Sequence, residues 1–159
     1  MKILVISDSH GHKDSILKAV AYESPDLILH LGDHDKDCSV IEQDYPEIPL
    51  RTVRGNCDRS SPGLDTDEFT LAGKRFCMTH GHLFSVKTGK AQITGYAASR
   101  GADILLFGHT HIPFSKEQDN IIIINPGSIG VGDKTYAILE LKDGVITYQH
   151  RNLNQPAKP

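Results

Sequence analysis

Short apolar runs that stop at a cluster of oxygen and imidazole side chains recur along this chain, and they constrain its fold more than any other feature. Residues 3–6, 27–31, 50–53, 75–78 and 103–107 are such runs. They lead in turn into Asp8-Ser9-His10, Gly32-Asp33, Gly55-Asn56-Cys57-Asp58, Thr79-His80-Gly81-His82 and Gly108-His109-Thr110-His111. Runs this short and continuously apolar are the pattern of strands buried on both faces. One aspartate after a strand is a turn former. Five clusters at five strand ends, in one small chain, call for those ends to converge.

Residues 14–22 have helical spacing through Ile16, Leu17 and Val20, with Asp14 placed to cap and Pro25 to end the helix. Residues 37–43 predict a short helix and 87–100 a longer one, despite Gly89 and Gly95. Residues 69–71 and 75–78 flank Ala72-Gly73-Lys74 as a hairpin, and residues 121–124 are a further apolar run. Residues 135–141 and 145–150 alternate about Asp143-Gly144, a tight-turn dipeptide. Strands alternating with helices and then giving way to hairpins predict an α/β domain with mixed sheets. In such folds ligands sit beyond the carboxyl ends of the strands, the edge where all five clusters fall. At 159 residues the chain reads as one domain, 1–159, with the tail 152–159 expected to fray.

Composition removes several classes. A net charge of −3 without a basic stripe argues against nucleic acid as a partner. No stretch approaches the roughly 20 apolar residues that span a bilayer, so no membrane partner is expected. The three cysteines form no Cys-x-x-Cys pair, which disfavours a disulfide framework or thiolate zinc site and predicts a reduced, cytoplasmic protein.

Carboxylate, amide oxygen and imidazole form a ligand set suited to Mn²⁺, Fe²⁺, Zn²⁺, Ni²⁺ or Co²⁺, with Mn²⁺ the first expectation. Asp8, His10, Asp33, Asn56, His80, His109 and His111 offer seven donors, too many for one open site. Two divalent ions bridged by Asp33 would use them, activating a bridging hydroxide for in-line attack on phosphorus.

Taken in order, Asp-x-His, Gly-Asp, Gly-Asn-x-Asp, Gly-His and Gly-His-x-His resemble the calcineurin-like metallophosphoesterases. Gly55-Asn56-Cys57-Asp58 and Asn125-Pro126-Gly127-Ser128 resemble the small stand-alone phosphodiesterases of bacteria and archaea within that family. The resemblance runs from residue 3 to about residue 148. It implies a four-layer αββα sandwich with mixed sheets. It also implies Asp8, His10, Asp33 and His111 on one metal and Asp33, Asn56, His80 and His109 on the other. His80, Asn56 and Asp58 are the expected catalytic set, Asp58 by orienting a ligand, while Arg59 and His82 are expected to meet substrate. Where larger relatives carry a histidine proton donor after the asparagine, this chain has Cys57. A thiol is a poor acid for an alkoxide, so acidic leaving groups are expected to be preferred.

The resulting reading is a metal-dependent phosphodiesterase for a small organic phosphoester, with a homodimer an open question. A phosphomonoesterase on the same site is one rival. Another is a non-catalytic scaffold, since the family includes a retromer coat subunit with an eroded metal site; retention of all seven donors speaks against it. His30, inside an apolar run, reads as a hydrogen-bonded core histidine. His12, His34 and Asp35 read as solvated loop residues, and His150 as exposed.

Overall fold

The computed structural model describes residues 1–155. Two five-stranded sheets are built in chain order from β1 (Lys2–Ile6), β2 (Leu27–His30), β3 (Leu50–Thr52), β4 (Thr66–Leu71), β5 (Lys74–Thr79), β6 (Ile104–Phe107), β7 (Phe114–Gln118), β8 (Ile121–Asn125), β9 (Thr135–Lys142) and β10 (Val145–Asn152). The first sheet has the order β10-β9-β1-β2-β3 and the second β4-β5-β6-β8-β7. Within the first, β1, β2 and β3 run parallel and β9 antiparallel to β1. Within the second, β5, β6 and β8 run parallel, with antiparallel β4 and β7 at the edges. Both sheets are therefore mixed.

Strand alternation sorts the apolar residues into layers. Ile3 and Val5 of β1 join Leu27, Leu29, Phe76, Met78, Ile104 and Leu106 in a core between the sheets. Leu4 and Ile6, one residue out of phase, face the other way and pack with Ile16, Ala19 and Val20 of α1 (Lys13–Glu23) and Ile41 of α2 (Ser39–Asp44). On the second sheet Cys77, Leu105 and Phe107 turn outward onto Ile93 and Ala97 of α3 (Ala91–Ser99). Helix, sheet, sheet, helix is the expected four-layer sandwich. Because β1, β2, β5 and β6 are apolar on both faces, they carry no strand-long polar stripe.

Several boundaries move. Asp14 lies in the first turn of α1 without capping it; the cap position is His12, and no side chain caps that end. The helix predicted over 87–100 begins only at Ala91, after turns that place Thr88 and Gly89 on the carbonyl of Ser85. Strand β7 was not expected. It pairs with β8 through Asp119-Asn120, both at positive φ, the backbone that a tight hairpin turn demands. The tail is not frayed over 152–155: Asn152 closes β10, and Leu153 is buried against the α1 layer, its amide bonded to the Lys134 carbonyl. The remainder of that expectation, 156–159, lies outside the described residues.

Candidate metal centre

The carboxyl ends of β1, β2, β3, β5 and β6 all open at one edge, and the predicted donors leave the sheets there in tight turns. Asp8, His10, Asp33, His109 and His111 all have φ between 46° and 66°. Non-glycine residues rarely adopt this backbone, and its clustering marks a place where the surrounding structure holds strain for a purpose. Two glycines allow the loops to close on one another. A Cβ on Gly55 would lie 2.2 Å from Asp33 Oδ1, and one on Gly108 2.0 Å from Ser7 Oγ.

Within this edge the donors form two sets. His111 Nε2 lies 3.1 Å from Asp8 Oδ1 and 3.3 Å from His10 Nε2, and His10 Nε2 is 4.0 Å from Asp33 Oδ2. On the other side His80 Nε2 is 3.5 Å from Asp33 Oδ2, 3.2 Å from Asn56 Oδ1 and 3.2 Å from His109 Nδ1. Metal bonds of about 2.0–2.2 Å put neighbouring ligand atoms roughly 3 to 3.6 Å apart. Asp8, His10 and His111, and separately Asp33, His80 and His109, are thus spaced to hold a divalent ion. Asp33 stands between the sets.

The surroundings of each donor explain its orientation. Asp8 Oδ2 accepts from the Ser7 hydroxyl and the His109 amide, whereas its buried Oδ1 makes no well-formed hydrogen bond among the described residues, with His111 Nε2 3.1 Å away. A bare carboxylate oxygen amid imidazoles is what a cation would satisfy. Asp33 Oδ1 accepts from the Cys57 amide at 2.8 Å, leaving Oδ2 toward the histidines. His80 Nδ1 is 2.8 Å from the Leu31 carbonyl, which can only accept, so Nδ1 holds the proton and Nε2 presents its lone pair. Burial alone would raise the Asp33 pKa, but the imidazole of His80 and the Cys57 amide carry it well below the carboxylate range. Burial likewise opposes the His80 cation, yet Asp33 and Asp8 outweigh it and raise the pKa of that imidazole. Burial and the neighbouring His80 push His109 down to about 4.

Asp58, expected in the catalytic set, has both oxygens engaged by the backbone. Oδ1 accepts from the amides of His34 and Asp35 and Oδ2 from that of Gly55. It ties the Asp33 loop to the Asn56 loop and so positions both. Arg59 is exposed beside it, and His82 is half-buried, its ring 5.4 Å from that of His80, with Nδ1 lacking a partner. Cys57 Sγ lies within 4.8 Å of ligand atoms of His10 and Asp33. His30 is the buried core histidine expected, bonded to Ser9 Oγ and the Gly32 amide. His150 is half-buried rather than exposed, its Nε2 held by the Asn125 carbonyl.

Among the other braces, Asp37 was not singled out from the sequence, whereas the turn Asn125-Pro126-Gly127-Ser128 was. Ser9 and the Gly11 amide both bond to the buried Asp37, which anchors the His10 turn. Asn125 donates to the Gly108 carbonyl and Thr110, and Ser128 donates to the Asp8 carbonyl. The turn Asn125-Pro126-Gly127-Ser128 therefore grips a loop of each sheet. Its Asn-Pro-Gly composition was the available signal.

The fold and donor set define a two-sheet α/β domain with a carboxylate–imidazole centre at its strand ends. The chain matches the calcineurin-like phosphoesterase superfamily domain over residues 1–144 and belongs to that family. It is 35% identical over 154 residues to the probable metallophosphoesterase YsnB of Bacillus subtilis, covering 92% of this chain and 88% of that protein. It is 27% identical over 155 residues to the phosphodiesterase YfcE of Escherichia coli, covering 82% and 80%. Among solved structures, a predicted phosphoesterase of Streptococcus pneumoniae superposes with a TM-score of 0.81 at 25% identity, covering 99% of this chain and 92% of that one. Vps29 of Entamoeba histolytica, solved with zinc, shares the fold with a TM-score of 0.73 at 20% identity, covering 97% and 100%. Divalent metal dependence is what this family implies. No helix among the described residues is long and apolar enough to cross a membrane.

Proposed function

We propose that this protein is a dinuclear metal-dependent phosphodiesterase acting on a small organic phosphodiester. The carrying observation is the pair of ligand sets that share Asp33, with Asp8 Oδ1 left bare among imidazoles. Asp8, His10, Asp33 and His111 would hold one ion, and Asp33, Asn56, His80 and His109 the other, with Mn²⁺ the first choice from the ligand chemistry. Two such ions, when bound, would polarise the phosphoryl oxygens and lower the pKa of water for attack.

The chain's own residues supply the rest. The Leu31 carbonyl keeps the His80 proton on Nδ1, so Nε2 stays directed into the site. Asp58 holds the Asp33 and Asn56 loops in register. Burial and Asp33 raise the Cys57 thiol to about 11, a slower proton source than an imidazolium. Burial and His80 lower the pKa of His82, which disfavours its imidazolium as a proton donor. Acidic leaving groups are accordingly favoured.

A scaffold reading draws support from the likeness to Vps29. Metal binding cannot separate the two, since the Entamoeba protein is itself described as complexed with zinc; hydrolysis can. The test takes chelator-stripped protein, restores Mn²⁺, Ni²⁺, Zn²⁺ or Mg²⁺ singly, and follows bis-p-nitrophenyl phosphate beside p-nitrophenyl phosphate. Diester cleavage that returns with a transition metal and is lost in His80→Ala is the expected result. Silence with every metal, although two ions bind, would transfer the assignment to a scaffold.

A further inference from the structure

Arginine pairing in this chain is nearly complete. Arg51 pairs with Asp67, Arg54 with Asp65, Arg75 and Arg100 with Glu68, and Arg151 with Glu23. Arg59 is the one arginine without a carboxylate partner among the described residues, and Lys36 also has none. These two cations line a single cavity of about 250 Å³ with His34, Cys57, Asp58 and Ser60. Asp58 is its one carboxylate, and three backbone amides already occupy those oxygens. The lining is therefore positive in a protein whose net charge is −3. The cavity also adjoins the metal centre directly. Cys57 Sγ lies within 4.8 Å of ligand atoms of His10 and Asp33, and the His34 ring stands edge-on to that of His10 at 5.3 Å.

A phosphodiester carries one charge at the scissile phosphorus, which the metal centre would meet. Lys36 and Arg59 stand beside that centre and not among its donors. Guanidinium and ammonium groups facing one small cavity are instead the pair that recognises a further phosphate, by charge-assisted hydrogen bonds. A second cavity shares Asp58 and Arg59 with this one and differs in the rest of its lining, where Arg54 is neutralised by Asp65 beside Leu83 and His82.

We propose that the cavity between Lys36 and Arg59 is a subsite for a second phosphate on the substrate, so that the natural substrate is a phosphodiester that carries a further phosphate group. This rests on the phosphodiesterase reading above. Because Arg59 lines both cavities, Lys36 is the residue that distinguishes them.

The experiment is calorimetric titration of Mn²⁺-loaded protein with adenosine 5′-monophosphate and adenosine 3′,5′-bisphosphate, which differ by one phosphate. The bisphosphate is expected to bind at least about tenfold more tightly, the scale of one charge-assisted contact. Lys36→Ala should shrink that ratio to within about twofold. Lys13→Ala, which removes an exposed lysine lining the neighbouring cavity, should leave it intact. Equal binding by the wild type, a ratio unmoved in Lys36→Ala, or an equal loss in Lys13→Ala would each overturn the subsite. Diester hydrolysis with a flat ratio would remove the subsite and keep the phosphodiesterase. A Lys36-dependent ratio without hydrolysis of any diester would do the reverse.

Discussion

The two sheets bring different chemistry to the shared edge. The first supplies both carboxylates, the amide and one imidazole, as Asp8, Asp33, Asn56 and His10; the second supplies only imidazoles, as His80, His109 and His111. The carboxylates are buried, each with one oxygen fastened to backbone amides or a hydroxyl, whereas the imidazoles grade outward from the fully buried His80 to His111, 38% exposed. Buried charge without partners is costly, so the acidic half must be clamped before any ion arrives. Neutral rings carry no such demand and can stand at the surface. Neither sheet offers a complete ligand set, which makes each proposed ion a fastening between sheets.

That asymmetry ranks the substitutions. Asp33→Asn keeps an oxygen for the Cys57 amide but removes the charge between the two sets. It is expected to lower metal-restored diester hydrolysis by about 10³-fold or more and to lower bound metal, by elemental analysis, at both sites. His111→Ala touches one set at its exposed rim and should cost roughly 10- to 100-fold while one ion is retained. Equal losses of metal in the two variants would break the idea that Asp33 is shared.

Asp58 tests the clamp without touching the ligands. In Asp58→Asn an amide NH₂ must replace one oxygen, facing either Gly55 or the His34 and Asp35 amides, so a donor meets a donor. A loss of about 2 kcal/mol in urea unfolding is expected, together with a fall in activity of roughly 10- to 100-fold through the loosened loops. Unchanged stability would mean that the two loops are held apart from Asp58.

How much of this was legible in the sequence follows from where each signal lives. Strands buried on both faces announce themselves as short apolar runs, and the donors follow those runs directly, so Asp8, Asp33 and His80 could be read in place. What fastens the donors is non-local. Asp37 reaches Ser9 across 28 residues, and Ser128 reaches the Asp8 carbonyl across 120; no spacing in the chain reveals such a bond. Strand β7 escaped because Ser115, Lys116 and Glu117 are exposed on an edge strand and leave no apolar alternation. The order of residues 152–155 escaped because one residue, Leu153, carries their burial. Arg59 was expected to meet substrate, but its lack of a partner is visible only once the other arginines have found theirs.

The smallest effect is also the one that separates the two halves by pH. In the metal-free protein the His80 pKa is raised and that of Asp33 lowered, against burial in both cases, because the two groups face each other. The contribution of His80 to stability is full below its unfolded value near ~6.5 and fades as pH rises through its higher folded value. That of Asp33 is present above ~3.9 and is lost as pH falls through its depressed folded value. The metal-free pair is thus most stabilising between about pH 4 and 6.5. A bound ion needs His80 Nε2 unprotonated, so metal affinity climbs through the range where the metal-free pair weakens. His109, already neutral above about pH 4, adds nothing to this slope. Thermal unfolding at fixed excess Mn²⁺ should therefore show a metal-induced gain that widens from pH 5.5 toward pH 8, by about 1.4 kcal/mol per unit for each proton that binding displaces. A gain independent of pH would mean that the ions do not engage the buried imidazole, and the second sheet would lose its part in the centre.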